Sequence, residues 1–254
     1  MLAALRILFV YNLFGIPAAM IGLPWTLISG DISMLYRWAM WIAHAGLRAG
    51  GIRIEVTRRA QLDPAKRYIF LSNHVSNLDP PVLLPLIPGR ASVFLKRSLM
   101  KLPVIGYAMR LGDYIPVDRD GRVESAKESV TQAVRVLKSG LNIMSFVEGT
   151  RSRDGRLQPF KKGPFYLAKE TGAPVVPVSI WGTESMMKKG SLKIYPGTAH
   201  VTFHEPLDPT AFATREELVA AVRKSIESAL PEWMWQGREQ GKGTGREQGS
   251  GVSH

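Results

Sequence analysis

Hydrophobic residues follow one another almost without a break near the start of the chain. No residue from Ile7 to Gly30 is charged. A helix rises about 1.5 Å per residue, so this run is long enough to cross the roughly 30 Å hydrocarbon core of a membrane. Helix-breaking residues interrupt the run, which favours a broken or re-entrant segment over a straight spanning helix. These residues are Gly15, Pro17, Gly22 and Pro24.

The next segment, Ser33 to Arg48, combines an apolar body with aromatic and basic residues, the composition of a helix that lies at a membrane surface. Residues 1–50 therefore predict a two-helix membrane-association motif. Two ordinary buried core helices are the alternative interpretation. A cleaved signal peptide fits less well, because the small-x-small pattern at 43–45 lies too far beyond the apolar run. The aromatic and basic residues are Tyr36, Arg37, Trp38, Trp41, His44 and Arg48.

From Gly51 onward, short apolar runs alternate with segments of helical periodicity. Such alternation predicts an α/β domain with a mixed, mainly parallel sheet flanked by helices. The last two strands are a candidate antiparallel edge. The predicted strands are Ile52–Val56, Tyr68–Leu71, Ser92–Leu95, Tyr114–Val117, Leu141–Phe146, Val175–Trp181, Lys193–Tyr195 and Ala199–Phe203.

Three helices in this domain are predicted from apolar residues at helical spacing. Gly140 and Gly172 are expected to end the first two, and Thr214 is the expected N-cap of the third. The domain is expected to cover residues 51–235. The remaining residues, 236–254, repeat Gly-Arg-Glu-Gln-Gly, carry little that could be buried, and are predicted to be disordered. The predicted helices are Arg122–Lys138, Pro164–Glu170 and Arg215–Leu230.

Composition and charge narrow the possible chemistry. The 254 residues include no cysteine, which excludes disulfides, thiolate zinc sites and thiol nucleophiles. No metal site is predicted, because no cluster has metal-ligand spacing. The formal net charge of +12 indicates an anionic partner, which could be a nucleic acid, an anionic membrane or a phosphorylated substrate. Aromatic-lined basic motifs for single-stranded nucleic acid are not found, which disfavours a nucleic-acid partner.

A histidine and an aspartate flank a short turn after the predicted strand that ends at Leu71. Asp79, five residues beyond His74 and just before Pro80, is the expected N-cap of a helix. If the turn folds back, the Asp79 carboxylate meets one imidazole nitrogen and leaves the other free to take a proton from a hydroxyl. No G-x-S-x-G nucleophile is present, so that hydroxyl is a candidate substrate group. The alternative is that Asp79 only caps its helix and His74 is a solvated loop residue.

Basic and polar residues recur where other predicted strands end, at the sheet edge where ligands bind in α/β proteins. The run Glu148–Arg151 offers close backbone approach at a glycine, a hydroxyl, and a planar guanidinium suited to phosphate. A charged turn, with Glu148 paired to an arginine, is an equal alternative. Lys96 and Arg119 follow two other strands, and Arg119 is alternatively an ion-pair partner of Asp118 or Glu148.

A proline at position 177 lies inside the apolar run Val175–Trp181. Proline cannot donate a backbone hydrogen bond and is found in sheets mainly on edge strands, at the first residue of a strand, or at bulges. The sequence therefore predicts either a kink beside the site or an edge strand.

The order and spacing of four short motifs resemble the glycerolipid acyltransferases, and the resemblance implies the fold of that family. The motifs lie within residues 68–181, and the likeness extends to Gly51–Val56. Two positions depart from the usual pattern and bear on the acceptor head group: Val147, where proline is frequent, and Ser98, where glutamate is frequent. The motifs are N-H-x-x-x-x-D-P at Asn73–Pro80, G-x-x-I-P-V-D-R at Gly112–Arg119, F-x-E-G-T-R-S at Phe146–Ser152 and V-P-V at Val176–Val178.

The resemblance implies transfer of a fatty acyl group from an acyl thioester, on coenzyme A or acyl carrier protein, to the sn-2 hydroxyl of lysophosphatidic acid. The product is phosphatidic acid, and no cofactor is needed. It also implies a catalytic domain on the cytoplasmic face of the inner membrane, against its anionic lipid surface. Another lysolipid, such as a lyso-ornithine lipid, is an alternative acceptor. A non-catalytic, basic lipid-binding protein is the alternative from a different functional class.

The resemblance also implies a role for each candidate residue. His74 is the implied general base and Asp79 its orienting partner, and Pro177 is implied to shape the acyl-donor side. The residues implied to bind the acceptor phosphate are Lys96, Arg119, Glu148, Gly149, Thr150 and Arg151.

Overall fold

Seven strands form one sheet in the computed structural model, which describes residues 2–101, 103–118, 123–188 and 190–236. The strand order is β1-β7-β6-β2-β5-β3-β4. Strands β6, β2, β5, β3 and β4 are mutually parallel, so their carboxyl ends meet at one edge of the sheet. The strands are β1 (Ile52–Arg58), β2 (Ile69–Ser72), β3 (Ala91–Lys96), β4 (Ile115–Val117), β5 (Asn142–Phe146), β6 (Val175–Trp181) and β7 (Gly197–Phe203).

The expected mixed, mainly parallel sheet is confirmed, and β7 supplies its antiparallel part without the second late strand that was predicted. β7 runs antiparallel to β6 and parallel to β1, so the reversed part of the sheet is the β7–β1 pair. The predicted strand Lys193–Tyr195 is wrong, because this segment is a loop. The N–H of Tyr195 donates to the carbonyl of Met186 at 2.9 Å. Pro196, which follows, has no N–H to donate to a ladder.

Helices cover both faces of the sheet. α5, α6 and α8 confirm the three helices predicted from periodicity, with ends that differ by at most three residues. Thr214 caps α8 through a capping box with Glu217, and Gly172 ends α6 at φ +66°. The helices are α1 (Leu2–Ser29), α2 (Ser33–Ala49), α3 (Asp79–Leu83), α4 (Pro103–Leu111), α5 (Val123–Lys138), α6 (Gly163–Thr171), α7 (Thr183–Met186) and α8 (Arg215–Glu227). The predicted disordered tail lies outside the described residues from Gly237 onward.

The central strands bury side chains on both faces, which gives the protein two apolar cores. In β2, Phe70 faces the core beneath α2 and α3, whereas Ile69 and Leu71 face the core beneath α5, α6 and α8. All four residues of β2 are fully buried. A strand covered on both sides is expected in a parallel sheet, and it fixes the loop that follows β2.

The N-terminal segment is one helix of 28 residues, so the predicted break is wrong. Pro17 and Pro24 lie inside α1, seven residues apart and therefore on one side of the helix. Each proline removes one backbone hydrogen bond, and the packing of α1 along α2 compensates for the loss. Gly22 makes this packing possible, since a Cβ there would lie 2.7 Å from Cδ1 of Leu35.

Among the described helices, α1 is long and apolar enough to cross a membrane, and most of it is exposed. The interpretation as two buried core helices is therefore wrong for α1. Its exposed large side chains are Leu2, Leu5, Leu8, Phe9, Leu13, Phe14, Ile16, Met20, Ile21, Trp25, Leu27 and Ile28.

Unlike α1, helix α2 packs on the α/β domain along its length. The hydroxyl of Tyr36 accepts from the N–H of Ala91 at 3.2 Å, and Nε2 of His44 lies 3.2 Å from the carbonyl of Val82. Leu47 is fully buried in the core beneath α2 and α3. The predicted boundary at residue 50 therefore separates two segments that share one core.

Pro177 lies in a central strand, so the edge-strand interpretation is wrong. It pairs with Leu71 of β2 on one side. Its nitrogen points to the other side, towards β7, whose last paired residue is Phe203 opposite Val178. Phe203 pairs with Val178, and Leu207 pairs with Val175. The chain after β7 therefore advances four residues between these two pairs, while β6 advances only three. The extra residue is a bulge, in which the N–H of His204 donates to the carbonyl of Pro177 at 3.0 Å. The proline therefore leaves no ladder hydrogen bond unmade.

A buried histidine after β7 connects the sheet to α8. The hydroxyl of Ser179 donates to the carbonyl of Ile226 at 2.8 Å. Because that hydroxyl has only one proton, Nε2 of His204, also at 2.8 Å, must donate to it. Burial and then the positive charge of Arg59 lower the pKa of His204 to about 4, so the folded protein holds this ring neutral at pH 7.

We expect His204 to make the fold sensitive to mild acid. The unfolded histidine protonates near pH 6.5, whereas the folded one stays neutral down to about pH 4, so the stability it contributes is lost as the pH falls between these values. The loss is about 1.4 kcal/mol per pH unit across that window. Denaturant unfolding of the wild type and of His204→Gln across the same window checks this. A variant that loses as much stability as the wild type would contradict it.

Candidate active site

The imidazole of His74 contacts the carboxylate of Asp79, as the folded-back turn predicts. Nδ1 of His74 lies 2.7 Å from Oδ2 of Asp79. The ring stacks on Phe146, with centroids 3.9 Å apart, and its side chain is 15% exposed. The alternative of a solvated loop histidine is therefore wrong. No other hydrogen bond to the ring is found within the described part of the chain, so Nε2 stays available to a substrate.

The Asp79 carboxylate is fully buried and accepts hydrogen bonds at both oxygens. Oδ2 also accepts from the N–H groups of Val75 and Ser76, each at 2.8 Å. The predicted N-cap role is wrong, because Leu78 precedes the helix in a helical conformation and Asp79 is already its first residue. The carboxylate turns back to the amides of the preceding loop, which would otherwise be buried without partners.

Thr183, at the start of α7, is a site residue that the sequence analysis missed. Its hydroxyl donates to Oδ1 of Asp79 at 2.5 Å, and its side chain is fully buried. Gly182 before it has φ +91°, and a Cβ there would collide with the carbonyl of Thr198. Thr183 lies just after the predicted buried strand Val175–Trp181. Ligands bind at the carboxyl ends of strands in α/β proteins, so its position could have indicated a site residue, as it did for His74. Thr183 and Asp79 are 104 positions apart in the sequence, and no local pattern indicated that they meet.

A second carboxyl group lies beside Thr183. Burial raises the pKa of Glu184, and the charge of Asp79 raises it further. Its Oε2 is buried without a hydrogen-bond partner among the described residues. Asp79, by contrast, accepts from two backbone N–H groups, the imidazole and the Thr183 hydroxyl. Four donors therefore face the carboxylate that contacts His74, whereas none among the described residues faces Oε2 of Glu184.

The third motif holds the backbone of His74 on both sides. Oε1 of Glu148 accepts the N–H of His74 at 2.9 Å, and the N–H of Ser152 donates to the carbonyl of His74 at 2.8 Å. Oε2 of Glu148 accepts the N–H of Gln158 at 3.1 Å. With 1% of its surface exposed, Glu148 lies inside the protein and holds the histidine loop, an arrangement that differs from the phosphate contact expected of it.

The side-chain amide of Asn73 continues the hydrogen-bond ladder between β2 and β6 beyond the end of β2. Its Nδ2 donates to the carbonyl of Ile180 at 2.8 Å, and its Oδ1 accepts the N–H of the same residue at 2.9 Å. This amide imitates a strand backbone at the point where the chain leaves β2 to form the histidine loop. The motif asparagine therefore fixes where that loop begins.

Thr150 and Arg151 lie on the loop after β5, the strand next to β2, and both are half-buried. Gly149 has φ +68°, a conformation that favours glycine, and a Cβ there would lie 3.2 Å from Cγ of Lys161. This loop begins with Glu148 and ends with Ser152, the two residues that hold His74. The structure thus brings Arg151 to the sheet edge that carries His74.

The remaining predicted site residues are Lys96, Arg119 and Pro177. Lys96 ends β3 and is exposed, and β3 is separated from β2 by β5, a distance of about 10 Å between strand axes. Arg119 lies outside the described residues, and Asp118 before it accepts from Nε of Arg97 at 2.6 Å. Pro177 is buried in the interior of β6 rather than at the end of that strand.

The two serine hydroxyls nearest to His74 in the sequence already donate to backbone carbonyls. Ser72 donates to the carbonyl of Asn73 at 3.0 Å, and Ser76 donates to the carbonyl of Met187 at 2.9 Å. Because its Nδ1–H points to Asp79, the neutral His74 ring presents a lone pair on Nε2. The arrangement can therefore take a proton from a hydroxyl that the protein does not supply.

Comparison with known proteins agrees with this geometry. The model of the Acyltransferase family matches residues 53–181. The chloroplastic 1-acyl-sn-glycerol-3-phosphate acyltransferase of Brassica napus is 41% identical over 142 residues, which are 55% of this chain and 40% of that protein. The human 1-acyl-sn-glycerol-3-phosphate acyltransferase alpha is 30% identical over 194 residues, 75% of this chain and 68% of that protein. The chain spans about half the length, or less, of the first curated relatives it matches.

A solved structure covers nearly the whole chain. The crystal structure of the 1-acyl-sn-glycerophosphate acyltransferase PlsC from Thermotoga maritima superposes with a TM-score of 0.77 and 26% sequence identity. It covers 89% of this chain, and the match takes in 92% of that protein. With the family match over half of the sequence and the human relative covered over two thirds of its length, the chain belongs to the Acyltransferase family.

Proposed function

We propose that the protein transfers a fatty acyl group from an acyl thioester to the sn-2 hydroxyl of 1-acylglycerol-3-phosphate, which gives phosphatidic acid. The family membership and the activities named for the relatives support this reaction. The observation that carries the proposal is the contact between His74 and Asp79, while the hydroxyls of Ser72 and Ser76 beside it donate to backbone carbonyls. Such a dyad suits a general base that acts on a hydroxyl of the substrate.

The reaction needs one proton transfer and one displacement. Nε2 of His74 takes the proton of the sn-2 hydroxyl while its oxygen attacks the thioester carbonyl carbon. A carbon–oxygen bond forms, the carbon–sulfur bond breaks, and the thiolate leaves with the proton from the imidazolium. Asp79 holds the ring through Nδ1 and stabilises the imidazolium that forms in between. The co-substrate is acyl-coenzyme A or acyl carrier protein, and the chemistry requires no cofactor.

The acceptor phosphate is proposed to bind the loop after β5. Arg151 offers a planar fork that matches phosphate oxygens, and Thr150 beside it offers a hydroxyl. Lys96 and Arg119 are proposed to add positive charge from the neighbouring strands β3 and β4. The net charge of +12 favours an anionic acceptor on an anionic surface.

The protein is proposed to work at the cytoplasmic face of the inner membrane. The exposed apolar surface of α1 supports membrane association, because a soluble helix would bury such residues. The acceptor and the product carry long acyl chains and stay in the bilayer. A membrane-bound enzyme therefore meets its substrate without extracting it into water.

The reaction is tested with purified full-length protein, lysophosphatidic acid and a series of acyl thioesters, with the product identified by mass. His74→Ala should lower kcat by about 10²–10⁴-fold with little change in either KM, because the general base is lost. Unchanged thermal unfolding of the variant shows that the loss is chemical. Parallel-line kinetics, or an acyl-protein trapped with donor alone, would rule out direct transfer. Faster turnover of a lyso-ornithine lipid would reassign the acceptor.

The support of the dyad is tested by Asp79→Asn and Thr183→Val. The first keeps the shape but removes the charge that stabilises the imidazolium, so kcat should fall by about 10²-fold or more. The second removes the donor to Oδ1 and should lower kcat more than it changes KM, by about tenfold, since a hydrogen bond to a charged group contributes about 1.5–3 kcal/mol. Thr183→Ser keeps the hydroxyl and should restore kcat. A valine variant with wild-type kcat, or a serine variant as slow as valine, would contradict the positioning role.

The phosphate site is tested by Arg151→Ala with Arg153→Ala, an exposed neighbour, as the matched control. We expect Arg151→Ala to raise the KM for lysophosphatidic acid by about 10–100-fold, while monoacylglycerol without the phosphate is affected little. Arg151→Lys should rescue poorly, because a point charge cannot reproduce the planar fork. Equal losses on both acceptors would assign Arg151 a structural role.

A further inference from the structure

We propose that the loop of residues 190–195, here called the Leu192 loop, is a second membrane contact that inserts into an anionic lipid surface beside α1. The proposal rests on the membrane association proposed above for α1. It adds a surface on the α/β domain itself, built from two apolar side chains with lysines on both sides.

The Leu192 loop exposes large apolar side chains that a water-facing turn does not need. Leu192 is 86% exposed and Tyr195 is 54% exposed. Leu192 is the most exposed large hydrophobic residue within the described part of the chain. A leucine that inserts into the acyl region and a tyrosine that lies at the head groups are the usual pair at a membrane interface.

Hydrogen bonds within the segment and one apolar anchor fix the conformation of the loop. The N–H of Ser191 donates to the carbonyl of Lys188 at 3.0 Å, and the N–H of Lys193 donates to the hydroxyl of Ser191 at 3.0 Å. Ile194 packs against the core beneath α2 and α3, which includes Met186 and Met187. One side chain of the loop therefore anchors it, while Leu192 points away from the domain.

The Leu192 loop leads into a contact with the segment that joins α2 to β1, and that segment also contacts α1. Gly51 packs against Pro196, since a Cβ on it would lie 3.1 Å from that ring. Gly50 packs in the same way against Ile7, whose Cδ1 would lie 2.7 Å from a Cβ. The two glycines between α2 and β1 therefore connect Pro196, which follows the loop, to Ile7 of α1, whose first turns expose Leu2, Leu5 and Leu8.

Charge favours an anionic bilayer as the occupant of this surface. Lys188 and Lys193 flank the exposed leucine, and both are exposed. Neither makes an ion pair with another described residue, so both are available to lipid phosphates. A lysine near an anionic leaflet contributes favourably at each position, and the apolar side chains supply insertion between the charges.

The same segment of chain supports the dyad, which explains why docking here matters to the reaction. Thr183 donates to Asp79, and the carbonyl of Met187 accepts from Ser76 in the histidine loop. Only a few residues separate these contacts from Leu192. Insertion of the loop would therefore fix the depth of His74 relative to the head groups, where the acceptor hydroxyl lies.

The absence of cysteine from the chain allows a direct test. Leu192→Cys is labelled with an environment-sensitive fluorophore in the full-length protein. The matched control is Tyr166→Cys, at a residue 53% exposed on α6, which covers the opposite face of the sheet. Each labelled protein is bound to vesicles of phosphatidylcholine with phosphatidylglycerol, with and without nitroxide-bearing lipid, and binding is verified by co-sedimentation.

We expect a blue shift and several-fold stronger nitroxide quenching for the label at 192 than for the label at 166. Reversal of charge by Lys188→Glu with Lys193→Glu should reduce the quenching at 192. Equal quenching at both positions in vesicle-bound protein would overturn the proposal. A shift that needs acyl carrier protein, or higher protein concentration without vesicles, would overturn it too, because the occupant would then be a protein. None of these readouts needs turnover, so they are independent of whether the proposed reaction is correct.

Discussion

The buried carboxylate of Asp79 is the group on which the arrangement of the site depends. A charge without water must be matched by donors, and here four converge on its two oxygens: two amides of the histidine loop, the imidazole, and the hydroxyl of Thr183. Each hydrogen bond to a charged group contributes about 1.5–3 kcal/mol to stability. Removal of one donor therefore leaves part of the buried carboxylate without a partner. The same charge that orients His74 also ties the end of β2 to the start of α7.

The precision of the dyad comes from backbone contacts rather than from side-chain packing alone. Glu148 and Ser152 hold the peptide groups on the two sides of His74, and Asn73 pairs with both backbone groups of Ile180. These contacts come from β5 and β6, the two strands that flank β2 in the sheet. A parallel sheet is well suited to this task, because its strand ends meet at one edge and can brace the same loop.

The sequence predicts the parts of the structure that local patterns control. Periodicity locates α5, α6 and α8, and the turn between His74 and Asp79 indicates their contact. Prediction from the sequence fails where residues distant in the chain determine the local structure. Nothing near Pro17 shows that α2 will support a continuous helix, and nothing near Pro177 shows that a bulge after β7 will leave its missing donor unneeded.

The role of Glu148 illustrates the same limit at the site. A glutamate in a polar run that follows a strand is ambiguous, because it can face a ligand, pair with an arginine or turn inward. The choice is made by two backbone N–H groups, of His74 and Gln158, that need an acceptor. The pairing of β2 with β5 places the N–H of His74 within reach of the carboxylate.

The connection between chemistry and membrane is built into the order of elements after β6. That strand runs in the parallel direction to the site edge, and α7 then supplies Thr183 to the dyad. The chain must next reverse to form β7, and the Leu192 loop makes that reversal beside the start of α1. In the proposed reaction the acceptor hydroxyl lies just below the head groups, so His74 must be held at that depth. A single short segment that supplies Thr183 to Asp79 and, as proposed, inserts Leu192 into the bilayer would meet this requirement.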